Sequence, residues 1–137
     1  MKRRYLITTV TAILASHTLA QTPNCDAIPG SIPRINWSGC DKSYNRYRMS
    51  RGNNNLSYAN LHQTNFTRAE MIDTNLFYAN LSSANLINTQ LWQANLSHAN
   101  LRRANFSGAE MHNSNLSRAD MYETNFTSIT RPFHTKP

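Results

Sequence analysis

From residue 54 to residue 128 a large apolar residue returns at every fifth position. The sites are Leu56, Leu61, Phe66, Met71, Leu76, Leu81, Leu86, Leu91, Leu96, Leu101, Phe106, Met111, Leu116, Met121 and Phe126, fifteen in a row without a gap. Two residues before each stands a small side chain: alanine at nine sites, threonine or serine at five, and Asn54 at the first. One residue before is asparagine at eleven sites, with Glu70, Gln90, Glu110 and Asp120 at the rest.

Neither regular element accommodates this period. An α-helix turns about 100° per residue, so a five-residue step would spiral the leucines round the whole cylinder. Side chains of a strand alternate, so the same step would place successive leucines on opposite faces. The pattern predicts a chain that bends at each step and turns one large residue inward every time. Positions 20 apart then align: Phe66, Leu86, Phe106 and Phe126 in one column, Met71, Leu91 and Met111 in another, and Glu70, Gln90 and Glu110 in a third. Four steps per turn make a square coil. Residues 54–128 would form about 3.75 such coils, a stack roughly 18 Å tall at the spacing of hydrogen-bonded strands.

The runs Ala59-Asn60-Leu61, Ala79-Asn80-Leu81, Ala94-Asn95-Leu96, Ala99-Asn100-Leu101 and Ala119-Asp120-Met121 resemble the A-[DN]-L-x-x unit of pentapeptide repeat proteins. The resemblance implies an all-β fold, a right-handed quadrilateral β-helix with four repeats per coil. Asn36-Trp37-Ser38-Gly39-Cys40 is similar to the lead-in of exported members. The resemblance also implies that the C-terminal end serves dimerisation in some members, so a homodimer is one expectation. The column geometry is consistent with the fold: the large residue fills the centre, and the inward position two before it admits only small side chains without overpacking.

The flanks read differently. Lys2, Arg3 and Arg4 precede a mostly apolar run from Tyr5 to Ala15, and Thr18-Leu19-Ala20 ends on a small residue. This is the layout of a secretory signal peptide, residues 1–20, with the cut expected after Ala20. The run is shorter than the about 20 apolar residues that span a bilayer, and no second such run follows, so no transmembrane segment is expected in the mature chain. Residues 21–53 break the repeat phase and contain Pro23, Pro29 and Pro33. They are expected to form an N-terminal cap, with an irregular first coil near Tyr44 to Asn53. Residues 129–137 form a C-terminal tail. Cys25 and Cys40 are expected to pair, as two cysteines of an exported protein do. A two-cysteine metal site would need further ligands, and only Asp26 and Asp41 lie near in sequence. Export places the protein in a bacterial periplasm or outside the cell.

Charge changes with export. The chain carries formal net charge +7, with 14 Lys+Arg against 7 Asp+Glu. Losing Lys2, Arg3 and Arg4 leaves 11 bases against 7 acids, a net of +4. That field biases encounters towards anions without diagnosing nucleic-acid binding. DNA mimicry, which the resemblance brings to mind through cytoplasmic members that protect gyrase, needs an acidic surface and is disfavoured here.

Catalytic and metal chemistry find little support. His62, His98 and His112 fall on three different faces of the coil, and His134 lies in the tail. Glu70 and Glu110 share a column two coils apart, about 10 Å, but on a convex wall with no pocket. No serine has a histidine and an acid placed to activate it. No enzyme activity, metal or cofactor is expected. Binding surfaces are better supported. Outward positions are mostly polar, except Ile72, Phe77, Ile87 and Trp92, with Tyr58 and Tyr78. These six are expected to form an apolar patch on adjoining walls, facing an unidentified protein partner. Two basic groups offer an alternative. Arg46, Arg48 and Arg51 interleave with Tyr44 and Tyr47, and Arg102, Arg103 and Arg118 gather near His98. Either group would hold an anionic polymer or lipid headgroups, although Arg103 is expected to pair with Glu123 one coil below.

Overall fold

The computed structural model describes residues 23–26, 35–43 and 55–130. The signal segment 1–20 and the irregular first coil expected at 44–53 lie outside the described residues.

Parallel bridges join Asn55 to Asn75, Asn60 to Asn80, Asn65 to Asn85 and Glu70 to Gln90, and the same 20-residue step repeats down to Asn105 and Asn125. The coil is therefore four-sided. Its sides are named here for the large residues that open them: the Leu56, Leu61, Phe66 and Met71 sides. Each unit closes on itself through a turn, as where Ala59 N–H donates to Leu56 C=O at 3.1 Å. The second residue after the large one has φ between 54° and 70° in every unit from Tyr58 to Ser128. A type II turn requires that left-handed position. The asparagine starts the turn: Asn80 Oδ1 accepts from Ser82 N–H at 3.2 Å and from the Ser82 hydroxyl at 2.8 Å. Its Nδ2 donates to Asn60 Oδ1 at 3.4 Å, so the column is tied from coil to coil.

Between coils the backbone bonds run both ways. Leu81 N–H donates down to Asn100 C=O at 2.8 Å, while Asn80 N–H donates up to Ala59 C=O at 2.9 Å. The large residues from Leu56 to Leu116 are buried, as are the alanines from Ala59 to Ala109. Phe106 stacks on Phe126 with centroids 5.2 Å apart. Three of the four threonines that replace the inward alanine satisfy the hydroxyl on a backbone carbonyl, as buried polar groups generally do. Thr64 donates to Trp37 C=O at 2.7 Å, Thr89 to Phe66 C=O at 2.8 Å and Thr124 to Leu101 C=O at 2.7 Å.

The ladder begins earlier than the phase break suggests. Asn36 bridges to Asn60 and Asp41 to Asn65, each 24 residues on rather than 20. Ile35-Asn36-Trp37-Ser38-Gly39 is thus a full unit, with Trp37 buried at the centre and Gly39 at φ 71°. Cys40-Asp41-Lys42-Ser43 follows as the next. Four extra residues between 43 and 55 shift the count without ending the pattern. Cys40 occupies an inward small-residue position and forms a disulfide with Cys25.

Candidate functional site

The turns push two side chains per unit out to the corners of the coil. Those of one column are brought together by the coil spacing of about 4.8 Å. At the corner between the Leu56 and Leu61 sides that column reads Tyr58, Tyr78, His98, Arg118. The Tyr58 and Tyr78 rings are stacked, 5.5 Å apart and 2° from parallel. Tyr78 and His98 continue the stack at 4.6 Å and 17°. Phe77 stands perpendicular to this row, edge-on to Tyr58 at 5.8 Å, to Tyr78 at 4.6 Å and to His98 at 5.5 Å. Tyr58 is 53% exposed and Tyr78 49%, while Phe77 and His98 are half-buried. Four rings therefore brace one another along a corner whose outer edge is open to solvent.

The expected six-residue patch divides. Trp92 and Ile72 belong to the corner between the Met71 and Leu56 sides, one side-width from Phe77. Trp92 is 40% exposed, and its indole N–H donates to Glu110 Oε2 at 2.8 Å. Ile87 lies at the corner between the Phe66 and Met71 sides, diagonally opposite Phe77, and both isoleucines are half-buried. The reason is geometric: each turn sends its pair to its own corner, so residues of successive units diverge. His98, a histidine expected only near the arginines, joins the ring row at this corner. Its place 20 residues after Tyr78 is the signal for it.

The arginines are partly committed. Arg102 bonds Asp120 at 3.2 Å and lies 4.5 Å over the Tyr122 ring. Arg103 bonds Glu123 at 2.7 Å, the pairing expected from their 20-residue separation. The Tyr122 backbone N–H, then Arg102, holds the Asp120 carboxyl below its ordinary range, and Arg103 does the same for Glu123. Arg118 sits in the aromatic column, one coil below His98, and makes no ion pair among the described residues. Arg46, Arg48 and Arg51 lie outside the described residues. Near the other end Lys42 lies 4.2 Å over the Trp37 ring, and its ammonium donates to Cys25 C=O. Burial holds the Lys42 ammonium below its usual pKa, opposed by the nearby Asp26 charge.

Glu70 and Glu110 stand in one column with Gln90 between them. His62, which bonds Ser82 through Nδ1, lies on a different side from His98 and His112. Among the described residues no three His, Cys, Asp or Glu side chains gather as metal ligands would. No helix among them is long and apolar enough to cross a membrane.

Solved structures similar to the chain include Rfr23, a pentapeptide repeat protein of the cyanobacterium Cyanothece 51142, at 23% identity and TM-score 0.49, covering 74% of this chain and 91% of that one. A pentapeptide repeat protein of the Arabidopsis thaliana thylakoid lumen matches at 20% identity and TM-score 0.46, over 71% of this chain and 65% of its own. HetL, from Nostoc sp. strain PCC 7120 and involved in heterocyst differentiation regulation, matches at 24% identity and TM-score 0.35, over 69% of this chain and 46% of its own. The chain thus spans less than two thirds of the latter two. No curated protein matches it significantly in sequence. The family model for pentapeptide repeats, in eight copies, matches residues 55–93 and 90–128, more than half of the chain. The chain belongs to the pentapeptide repeat family, whose members form right-handed quadrilateral β-helices.

Proposed function

We propose that this is an exported, non-enzymatic interaction module that presents the Tyr58, Phe77, Tyr78 and His98 corner to a protein partner. The observation that carries the reading is the braced ring row itself, exposed along its edge. Interface hot spots favour rigid aromatic side chains, because these bury much area at low entropic cost. The mutual stacking fixes the rotamers before any partner arrives. Arg118, at the foot of the column, adds a cation for an acidic group on that partner. Trp92, one side-width away, extends the surface around the next corner.

The alternative of an anionic polymer or lipid headgroup held by arginines has less support, because Arg102 and Arg103 already face carboxylates. The export half of the proposal rests on the sequence of residues 1–20, and amino-terminal sequencing of the released protein should begin at Gln21. The binding half is tested by capture from envelope extract with the wild-type chain and with Phe77→Asp/Tyr78→Asp, at low and high salt. A protein retained at high salt and lost with the variant supports the proposal. Capture of anionic polymer alone, vanishing as salt rises, would sink it in favour of the arginines.

A further inference from the structure

The two ends of the stack are not alike. In the column of the Leu61 side, Trp37, Leu61, Leu81 and Leu101 are all 0% exposed, whereas Met121 at its foot is 37% exposed. At the head of that column, residues 23–26 lie across the first described unit. The Cys25–Cys40 disulfide ties them there, and Asn24 N–H donates to Asn36 C=O at 2.7 Å.

That last bond has a meaning set by the repeat. Lower in the column the equivalent carbonyl always receives the N–H of the large residue in the coil above. Asn60 C=O takes Trp37 N–H, Asn80 takes that of Leu61, Asn100 that of Leu81 and Asp120 that of Leu101. Asn24 N–H therefore sits where a preceding coil would sit. At the foot, Met121 N–H, Glu123 N–H and Ala119 C=O have no backbone partner among the described residues. Because every unit is built alike, this lower edge carries the donor and acceptor spacing that fits the upper edge at Asn36. An unpaired edge is a template for another chain. A head-to-tail contact of this kind does not close, so it would grow into an open filament.

We propose that the disulfide-tied segment 23–26 is a stopper, holding the seat that the Met121 coil of a second copy would otherwise take. The occupant is a second copy because that lower edge, repeated in each coil, is what the upper edge at Asn36 matches in register. Lys42 strengthens the block. It stands where Phe66, Leu86 and Phe106 stand further down its own column, and its ammonium over Trp37 would have to be desolvated by an incoming apolar coil.

Sedimentation velocity over a range of concentrations tests this, on wild type and on Cys25→Ser/Cys40→Ser. The double variant retains no cysteine, so intermolecular disulfides cannot account for its size. The wild type should hold one sedimentation coefficient, while the variant grows with concentration into species several-fold larger. Adding Met121→Arg to the variant should return it to the wild-type value. An unchanged size would overturn the proposal, as would a tail-to-tail dimer that occupies the lower edge in both proteins. Growth that survives Met121→Arg would overturn it too. So would loss of the folded circular-dichroism signal in the double variant at low concentration, since the tie would then hold the coil together rather than guard its end.

Discussion

The inward threonines separate the cost of a polar group from the benefit of its bond. Thr89 is fully buried and donates to Phe66 C=O, a carbonyl that also receives Ala69 N–H. Thr89→Val keeps the shape and removes one bond while leaving that acceptor satisfied, so it should destabilise by about 1 kcal/mol. Thr74 is equally buried, but its hydroxyl has no hydrogen-bond partner among the described residues. Thr74→Val should be neutral or stabilising, and urea unfolding of the two variants checks the difference in sign. The corner residues carry a backbone constraint instead. Gln93 has φ 58° and an exposed side chain. A β-branched residue is strained there, so Gln93→Ile should fall below Gln93→Gly by about 1–2 kcal/mol in the same assay. The sequence obeys this rule throughout: no Val, Ile or Thr stands two after the large residue from Tyr58 to Ser128, although Thr67, Ile72, Ile87 and Thr127 stand one after.

At the scale of the unit, the asparagine joins two functions that the sequence shows only as a recurring letter. Asn80 takes the Ser82 N–H to start its turn, and it links to Asn60 above and Asn100 below. Asn80→Ala should lose both and cost about 2 kcal/mol. Asn80→Asp, which keeps the turn acceptor but not the Nδ2 donor, should fall between, read as midpoints of urea unfolding. The square coil is legible because inward and outward positions keep strict phase from Leu56 to Phe126. The units at Asn36 and Asp41 are not, because four extra residues break that phase and Lys42 stands where an apolar residue is expected. The candidate site is half legible for a similar reason. The 20-residue spacing gives Tyr58 above Tyr78 and Arg103 against Glu123. The Arg102–Asp120 pair, 18 residues apart, runs diagonally between two stacked units and depends on side-chain reach. The six expected apolar residues leave at three corners, because each unit forms its own side of the coil and turns its outward pair at its own corner.

For the whole molecule, stability is distributed along one dimension, as each coil meets only its neighbours. Position in the stack should then decide the cost of an identical loss. Leu101 and Met121 occupy one column, but Leu101 is sealed by coils on both sides, whereas Met121 is 37% exposed and has no coil below it among the described residues. Leu101→Ala leaves a cavity between two bonded coils and should cost about 2–5 kcal/mol. Met121→Ala removes a side chain already partly in water, so its loss should be well under half of that. The interior variant should also weaken the coupling between the coils above and below it. Its urea m-value should fall below that of the wild type, a sign that the stack no longer unfolds as one unit, while the m-value of Met121→Ala should not change. Equal destabilisation at the two sites would mean that the lower coil is covered in solution, and the stopper at the other end would then have no open edge to guard against.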